Sequence, residues 1–203
     1  MSIAESSDNR YTRKTQKTVR HLATTAFDLF ERDGYAQVTM EQIAAAADVA
    51  KGTLYKHFPN KEAVLAHCLQ WEIEQPLQDS KFDNDNLSCQ AQLRTFFHLL
   101  AQRLEARKAY IGPYLKHRMS QHADTSPSTQ RKVFDATYRP ILEHAQATGQ
   151  VRTDLPIELL LQSLKFLQLS TLIRWLDSEQ SDLKQEFELM LQFFFEGARG
   201  STS

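Results

Sequence analysis

The chain is 203 residues long, 41% hydrophobic and 24% charged, with only six glycines and six prolines. That is length enough for a buried core, and the usage excludes a disordered chain, a collagen-like repeat and a turn-rich all-β fold. A formal net charge of −1 excludes a globally basic nucleic-acid binder, yet five cations and no acid lie between Arg10 and Arg20.

That basic run stands apart, because residues 71–203 carry 15 Lys and Arg against 17 Asp and Glu. It is either a solvated tail or an electrostatic arm that meets phosphates. No apolar run approaches the eighteen residues of a membrane span, and the polar start lacks the apolar core of a signal peptide. Two cysteines, Cys68 and Cys89, form no disulfide framework and suit a reducing cytoplasm.

The periodicity predicts helices almost throughout. Val19, Leu22, Ala23, Ala26, Phe27 and Phe30 mark one face of a first helix, which Asp33-Gly34 ends. Thr39 with Gln42 has capping-box spacing and opens a short helix whose stripe is Met40, Ile43, Ala44 and Ala47. After a break at Asp48-Val49, a third helix runs from about Ala50 to His57, where Phe58-Pro59 stops it. Asn60 caps a fourth helix running from Lys61 towards Gln75, and Lys81 to Asn86 reads as a loop. Leu87 to Lys108 is expected as one long helix with Leu93, Phe96, Phe97, Leu100 and Leu104 inside, and Tyr110 to Gln121 as a shorter one broken at Gly112-Pro113. Ser126-Pro127 signals a cap for a helix ending at Gly149, and Asp154 to Pro156 the same for one through about Leu176. The last starts at Ser181 or Asp182 and fades at Gly197. The fold class is all-α: a three-helix unit at residues 10–58 followed by a larger helical domain at 59–199.

Two short helices separated by a tight break and packed on a longer one describe a helix-turn-helix. Small Ala44 to Ala47 allow close approach, and the second short helix turns outward Lys51, Thr53, Tyr55, Lys56 and His57, with no acid between Lys51 and Lys61. From Ala23 to Leu65 the sequence resembles the DNA-binding domain of the TetR family of transcriptional regulators. The matching residues are Leu29-Phe30, Gly34-Tyr35, Thr39, Ile43-Ala44, Gly52-Thr53-Leu54-Tyr55, His57-Phe58 and Lys61-Glu62. Two positions depart from the family: Asp48 stands where the turn usually has Gly, and Ala50 where Ser or Thr opens the recognition helix. Asp tolerates left-handed angles, whereas Ala cannot cap, a loss of about 1 kcal/mol.

The resemblance implies that Thr39, Tyr55, His57 and Lys61 contact phosphates, positioning the protein on double-stranded DNA. Lys51, Gly52 and Thr53, at the helix start that enters the major groove, are the candidates for reading bases, and Lys56 could do either. It further implies a homodimer on a palindromic operator, and a repressor released by a small-molecule effector. From Leu155 to Leu176, thirteen of twenty-two residues are large and apolar on more than one face, and Leu183 to Phe195 is similar. Leu172 and Phe194 are therefore candidates for either the subunit core or a two-fold seam. The aromatic-rich middle segment supplies candidate effector-binding residues: Phe97, Tyr110, Tyr114, His117, Phe134, Tyr138 and Trp175.

The rival classes are an all-α hydrolase and a helical adaptor without DNA binding. Seven histidines show no four-residue pair flanking a carboxylate, Cys68 and Cys89 form no close zinc pair, and no phosphate-cradling glycine loop occurs. The sequence thus predicts no enzyme, metal site or cofactor.

Overall fold

A computed structural model describes residues 4–69, 87–121 and 129–197, the side chains of 4–14, 118, 121 and 129–135 excepted. Every regular element among them is helical. They are α1 (Ala4–Asp33), α2 (Met40–Ala46), α3 (Lys51–His57), α4 (61–69), α5 (Cys89–Glu105), α6 (Lys108–Gln121), α7 (Thr129–Ala147), α8 (Ile157–Leu176) and α9 (Leu183–Glu196). The expected course of α4 beyond Leu69, the loop at Lys81 to Asn86 and the Ser126-Pro127 cap lie outside the described residues.

The helices form two compact units. One holds α1 to α4 with residues 113–121, the other residues 87–112 with α7 to α9. In the first unit α1 packs on α2 and buries Leu22, Ala23, Ala26, Phe27, Leu29 and Phe30, and Ile43, Ala44, Leu54, Val64 and Leu65 are buried in the same unit. Gly34 ends α1 at φ 85°, the left-handed conformation that a side chain disfavours. Asn60 caps α4, its Oδ1 accepting from the Ala63 N–H at 2.8 Å. The thiol of Cys68 donates to the Ala23 carbonyl and fastens α4 to α1.

In the second unit α5 packs on α7 and α9, and α8 on α7 and α9. Leu93, Phe96, Phe97, Leu100 and Leu104 are all buried, as their spacing predicts. Asp182 caps α9, and Glu105 accepts the next free N–H there, from Leu183, at 2.9 Å. Glu188 of α9 receives Arg94 and pairs with His98, both on α5. Both free cysteines are buried, and burial pushes the Cys89 thiol up to about 12, which keeps it neutral.

Three boundaries differ from expectation. The long helix is α5 alone, capped by Ser88 and ended at Glu105, with Ala106 and Arg107 turning the chain into α6. Gly112-Pro113 does not interrupt α6, which runs through Pro113 despite the hydrogen bond and ring clash that proline costs a helix interior; the division between the two units falls between these residues. Asp154 does not cap α8: Pro156 is itself the cap residue, and the Asp154 carboxylate is taken by Arg152.

Candidate nucleic-acid interface

The first motif helix, α2, begins as a closed capping box. The Gln42 N–H donates to Thr39 Oγ1 at 3.2 Å while the Thr39 N–H donates to Gln42 Oε1 at 2.8 Å. At its other end the Val49 N–H reaches the Ala44 carbonyl (3.0 Å) and the Asp48 N–H the Ala45 carbonyl (3.2 Å). This is the Schellman arrangement, which needs a left-handed residue at the first position past the cap. Asp48 supplies it at φ 53°, the only positive φ outside glycine among the described residues. His21 of α1 completes the turn, its Nε2 lying 3.1 Å from the Ala47 carbonyl. Asp48→Val is expected to destabilise the protein by about 1–2 kcal/mol, because a β-branched residue resists that conformation, while Asp48→Gly leaves stability unimpaired. Urea denaturation checks this; a Val variant as stable as wild type would remove the conformational argument.

The second motif helix, α3, follows from Ala50, which makes no side-chain cap bond; Asp48 does not substitute for it. Only Leu54 of its seven residues is buried, with Phe58 anchoring the end. Phe58 takes the extended angles (φ −134°, ψ 110°) that Pro59 imposes on its neighbour. The remaining face is open. Lys51, Gly52, Tyr55 and Lys56 are exposed, Thr53 and His57 half-buried, and Tyr55 leaves 46% of its surface to solvent. Nothing lies within 4 Å of where a Cβ on Gly52 would stand, and its backbone does not require glycine. The six α3 residues expected at the interface therefore share one short helix, with Thr39 at the start of α2.

Lys51 has a partner that sequence spacing does not reveal. Its ammonium lies 3.3 Å from a carboxylate oxygen of Glu41, ten positions earlier in α2. A hydrogen bond from the Glu41 backbone and then the Lys51 ammonium hold that carboxyl below the usual carboxylate range. Lys61 is likewise engaged within its own subunit. Its ammonium donates to the carbonyls of Tyr35 (2.6 Å), Val38 (2.9 Å) and Ala36 (3.3 Å), and stands 4.4 Å over the Tyr35 ring. Burial and the Glu62 charge in turn push the Tyr35 phenol upward.

His67 on α4 meets Phe58 edge-on, ring centroids 5.5 Å apart, and burial pushes its pKa down. Below the ordinary histidine value of about 6.5 the unfolded chain takes up a proton that the folded chain accepts only at lower pH. Stability is thus level above that value and falls as the pH drops from it towards the folded value. Denaturation midpoints measured on both sides of this window should show the loss, and His67→Phe should flatten it.

The residues expected to bind an effector fall in both units. Phe97, Tyr138 and Trp175 are buried in the second unit, where Phe97 packs against Tyr138 (5.8 Å), Phe187 (4.8 Å) and Phe96 (5.2 Å). Tyr110 belongs to that unit, while Tyr114 and His117 belong to the first. Trp175 lies under the Lys108 ammonium, which stands 4.7 Å from its ring centre. The Phe134 side chain lies outside the described residues. A polar group missed from sequence is Gln168, buried on α8, whose Oε1 accepts the Tyr138 O–H at 2.8 Å. Among the described residues no group of three His, Cys, Asp or Glu could hold a metal ion, and no helix is long and apolar enough to cross a membrane.

Comparison with known proteins places the helix-turn-helix geometry in context. The family model described as "Bacterial regulatory proteins, tetR family" matches residues 22–68. The chain is 28% identical to the HTH-type transcriptional repressor DhaR of Mycobacterium sp. (strain GP1), over 70% of this chain and 73% of that one. It is 24% identical to the repressor KstR2 of Rhodococcus jostii, over 71% and 72%. Among solved structures it resembles Thermus thermophilus FadR, a TetR-family transcriptional repressor in complex with lauroyl-CoA. The TM-score is 0.70 at 24% identity, over 91% of this chain and 97% of that one.

Proposed function

Because the chain belongs to the TetR family of bacterial regulatory proteins, we propose that it is a transcriptional repressor that binds a palindromic DNA operator as a homodimer and is released by a small-molecule effector. The observation that carries this reading is α3, a helix anchored by Leu54 whose open face holds donors and no acid. Lys51, Gly52 and Thr53 at its start read base edges in the major groove. Tyr55, His57 and Thr39 hold phosphates, and Lys56 lies where it serves either purpose. Glu41 restrains Lys51 until a base or phosphate competes for its ammonium. The basic run Arg10 to Arg20 falls on α1, so the proposed arm is helical and not a loose tail.

Two copies bring two recognition helices to half-sites about 34 Å apart, one turn of DNA. The dimer reading rests on an apolar stripe that the second unit leaves uncovered. Leu159, Phe166 and Ile173 recur every seven residues along α8 and are all exposed, as are Leu189 and Phe193 on α9. These side chains form the seam, in a four-helix packing of α8 and α9 from both copies. Leu172 is buried within its own subunit and Phe194 is half-buried against Phe195, so neither is a central seam residue.

The effector we assign to an apolar or aromatic class, held in the second unit near the Phe96, Phe97, Tyr138 and Phe187 cluster with Gln168 as a polar end. It acts by preferring a state in which the half-site spacing is lost, and only by that difference in affinity. The relatives are regulators, which supports a non-enzymatic, cytoplasmic protein. Selection of bound fragments from random duplex DNA tests the whole reading, repeated with a panel of small molecules that includes lauroyl-CoA. An enriched palindrome displaced by one compound is expected; absence of any enriched site would overturn the repressor reading.

A further inference from the structure

An exposed lysine beside a DNA-binding helix is ordinarily assigned to phosphate, and Lys61 holds that position in sequence. Its surroundings say otherwise. A lysine ammonium has three N–H donors, and three carbonyls, at Tyr35, Ala36 and Val38, converge on this one within 3.3 Å. Those carbonyls belong to the connection between α1 and α2, where no helix supplies partners for them. The Tyr35 ring closes a further side of the cation, and that ring is itself held edge-on by Phe30, 5.1 Å away in the core. Lys61 is also the first residue of α4, directly after its Asn60 cap, and the Val38 carbonyl directly precedes the Thr39 capping box of α2.

From this juxtaposition we infer that Lys61 is a positioning residue: its ammonium ties the first turn of α4 to the segment leading into α2, and it supports DNA binding through the set of the helix-turn-helix without touching the nucleic acid. The inference rests on the proposed DNA-binding function and names a regulatory contact within it. The tie spans 23 to 26 residues of sequence, and the Cys68–Ala23 bond holds the far end of the described α4 to α1. A shift of α4 that moves its first turn therefore pulls on residues 35–38, and through them on the start of α2. An effector that moves α4 has in Lys61 a handle on the interface.

Salt dependence separates this from direct contact, because each phosphate neutralised by a cation contributes about 0.9 to the log–log slope of affinity against salt. The full-length wild type, Lys61→Met and Lys61→Arg are compared on the selected operator across a salt series. Lys61→Met should bind roughly tenfold more weakly with the slope unchanged. Hydrogen exchange should quicken at the amides of 35–42 and not in α5, α8 or α9. Lys61→Arg keeps the charge but replaces a point cation by a planar fork that three converging carbonyls do not match, so it should weaken binding as well. Aminoethylation of Lys61→Cys, which rebuilds a lysine-like ammonium, should restore affinity and slow the loop exchange again. If Lys61→Met does not fold, Lys61→Arg and the alkylated variant carry the comparison. A slope lowered by about 0.9 in Lys61→Met, or full affinity in Lys61→Arg, overturns the inference. Wild type that shows no salt-dependent binding to duplex DNA overturns the underlying function instead, and the two failures are distinguishable.

Discussion

Gly52→Ala should yield a more stable protein that binds its operator more weakly. Glycine within a helix is less favourable than alanine by about 0.5–1 kcal/mol. Here no positive φ and no neighbouring atom within 4 Å of the missing Cβ give the fold a reason to keep it. The fold itself therefore does not require the bare backbone at the start of α3. In the proposed docking an added methyl meets the DNA where the helix backbone approaches the groove, and overpacking of a closed contact costs about 1–3 kcal/mol. Thermal denaturation should move upward while operator affinity falls by roughly five- to 150-fold on that scale. Affinity unchanged in the alanine variant would show that α3 does not approach DNA through Gly52.

Phe166→Glu should convert the dimer to a folded monomer. In the isolated subunit 63% of Phe166 is exposed, so a carboxylate there is solvated and the fold survives. In a two-fold seam the same substitution occurs twice. Losing burial of two phenylalanines, at about 2 kcal/mol each, weakens association by roughly a thousandfold before any unpaired charge is counted. Sedimentation at micromolar concentration should find monomer, circular dichroism an intact helical fold, and operator binding the weak affinity of a single half-site. Leu172→Glu is the contrast: that side chain is 5% exposed within its own subunit, so the variant should unfold. A Phe166→Glu protein that remains a dimer would place the seam elsewhere.

What could be read in the sequence was local. Thr39 with Gln42, Gly34 and Asp182 are signals whose partners lie within four residues, and each forms the predicted cap or stop. Asp48 was legible for the same reason, since a left-handed turn residue is chosen by its own backbone. The outward face of α3 was legible because Leu54 and Phe58 fix which way it turns. Contacts across long separations were not. Glu41 meets Lys51, His21 meets the Ala47 carbonyl, and Lys61 meets residues 35–38, all through tertiary packing that no spacing encodes. The cap-then-proline signal at Asp154 misled because Arg152, two residues away, competes for the carboxylate. On α8, apolar residues on several faces predicted burial on several sides, but only packing reveals that the Leu159, Phe166 and Ile173 side is left open while Leu160, Leu164 and Leu172 are not.

The single buried anchor of α3 has an evolutionary consequence. Six of its seven residues lie outside the buried core, so under the proposed base-reading role exchanging them leaves folding stability near its starting value while altering which DNA is preferred. Mutations at Lys51, Thr53 or Lys56 can therefore be sampled one at a time by a lineage without passing through unfolded intermediates. The lineage can acquire a new operator before it loses a working regulator. A scaffold built this way diversifies its targets faster than its architecture, because selection on address and selection on folding act on different residues of the same helix.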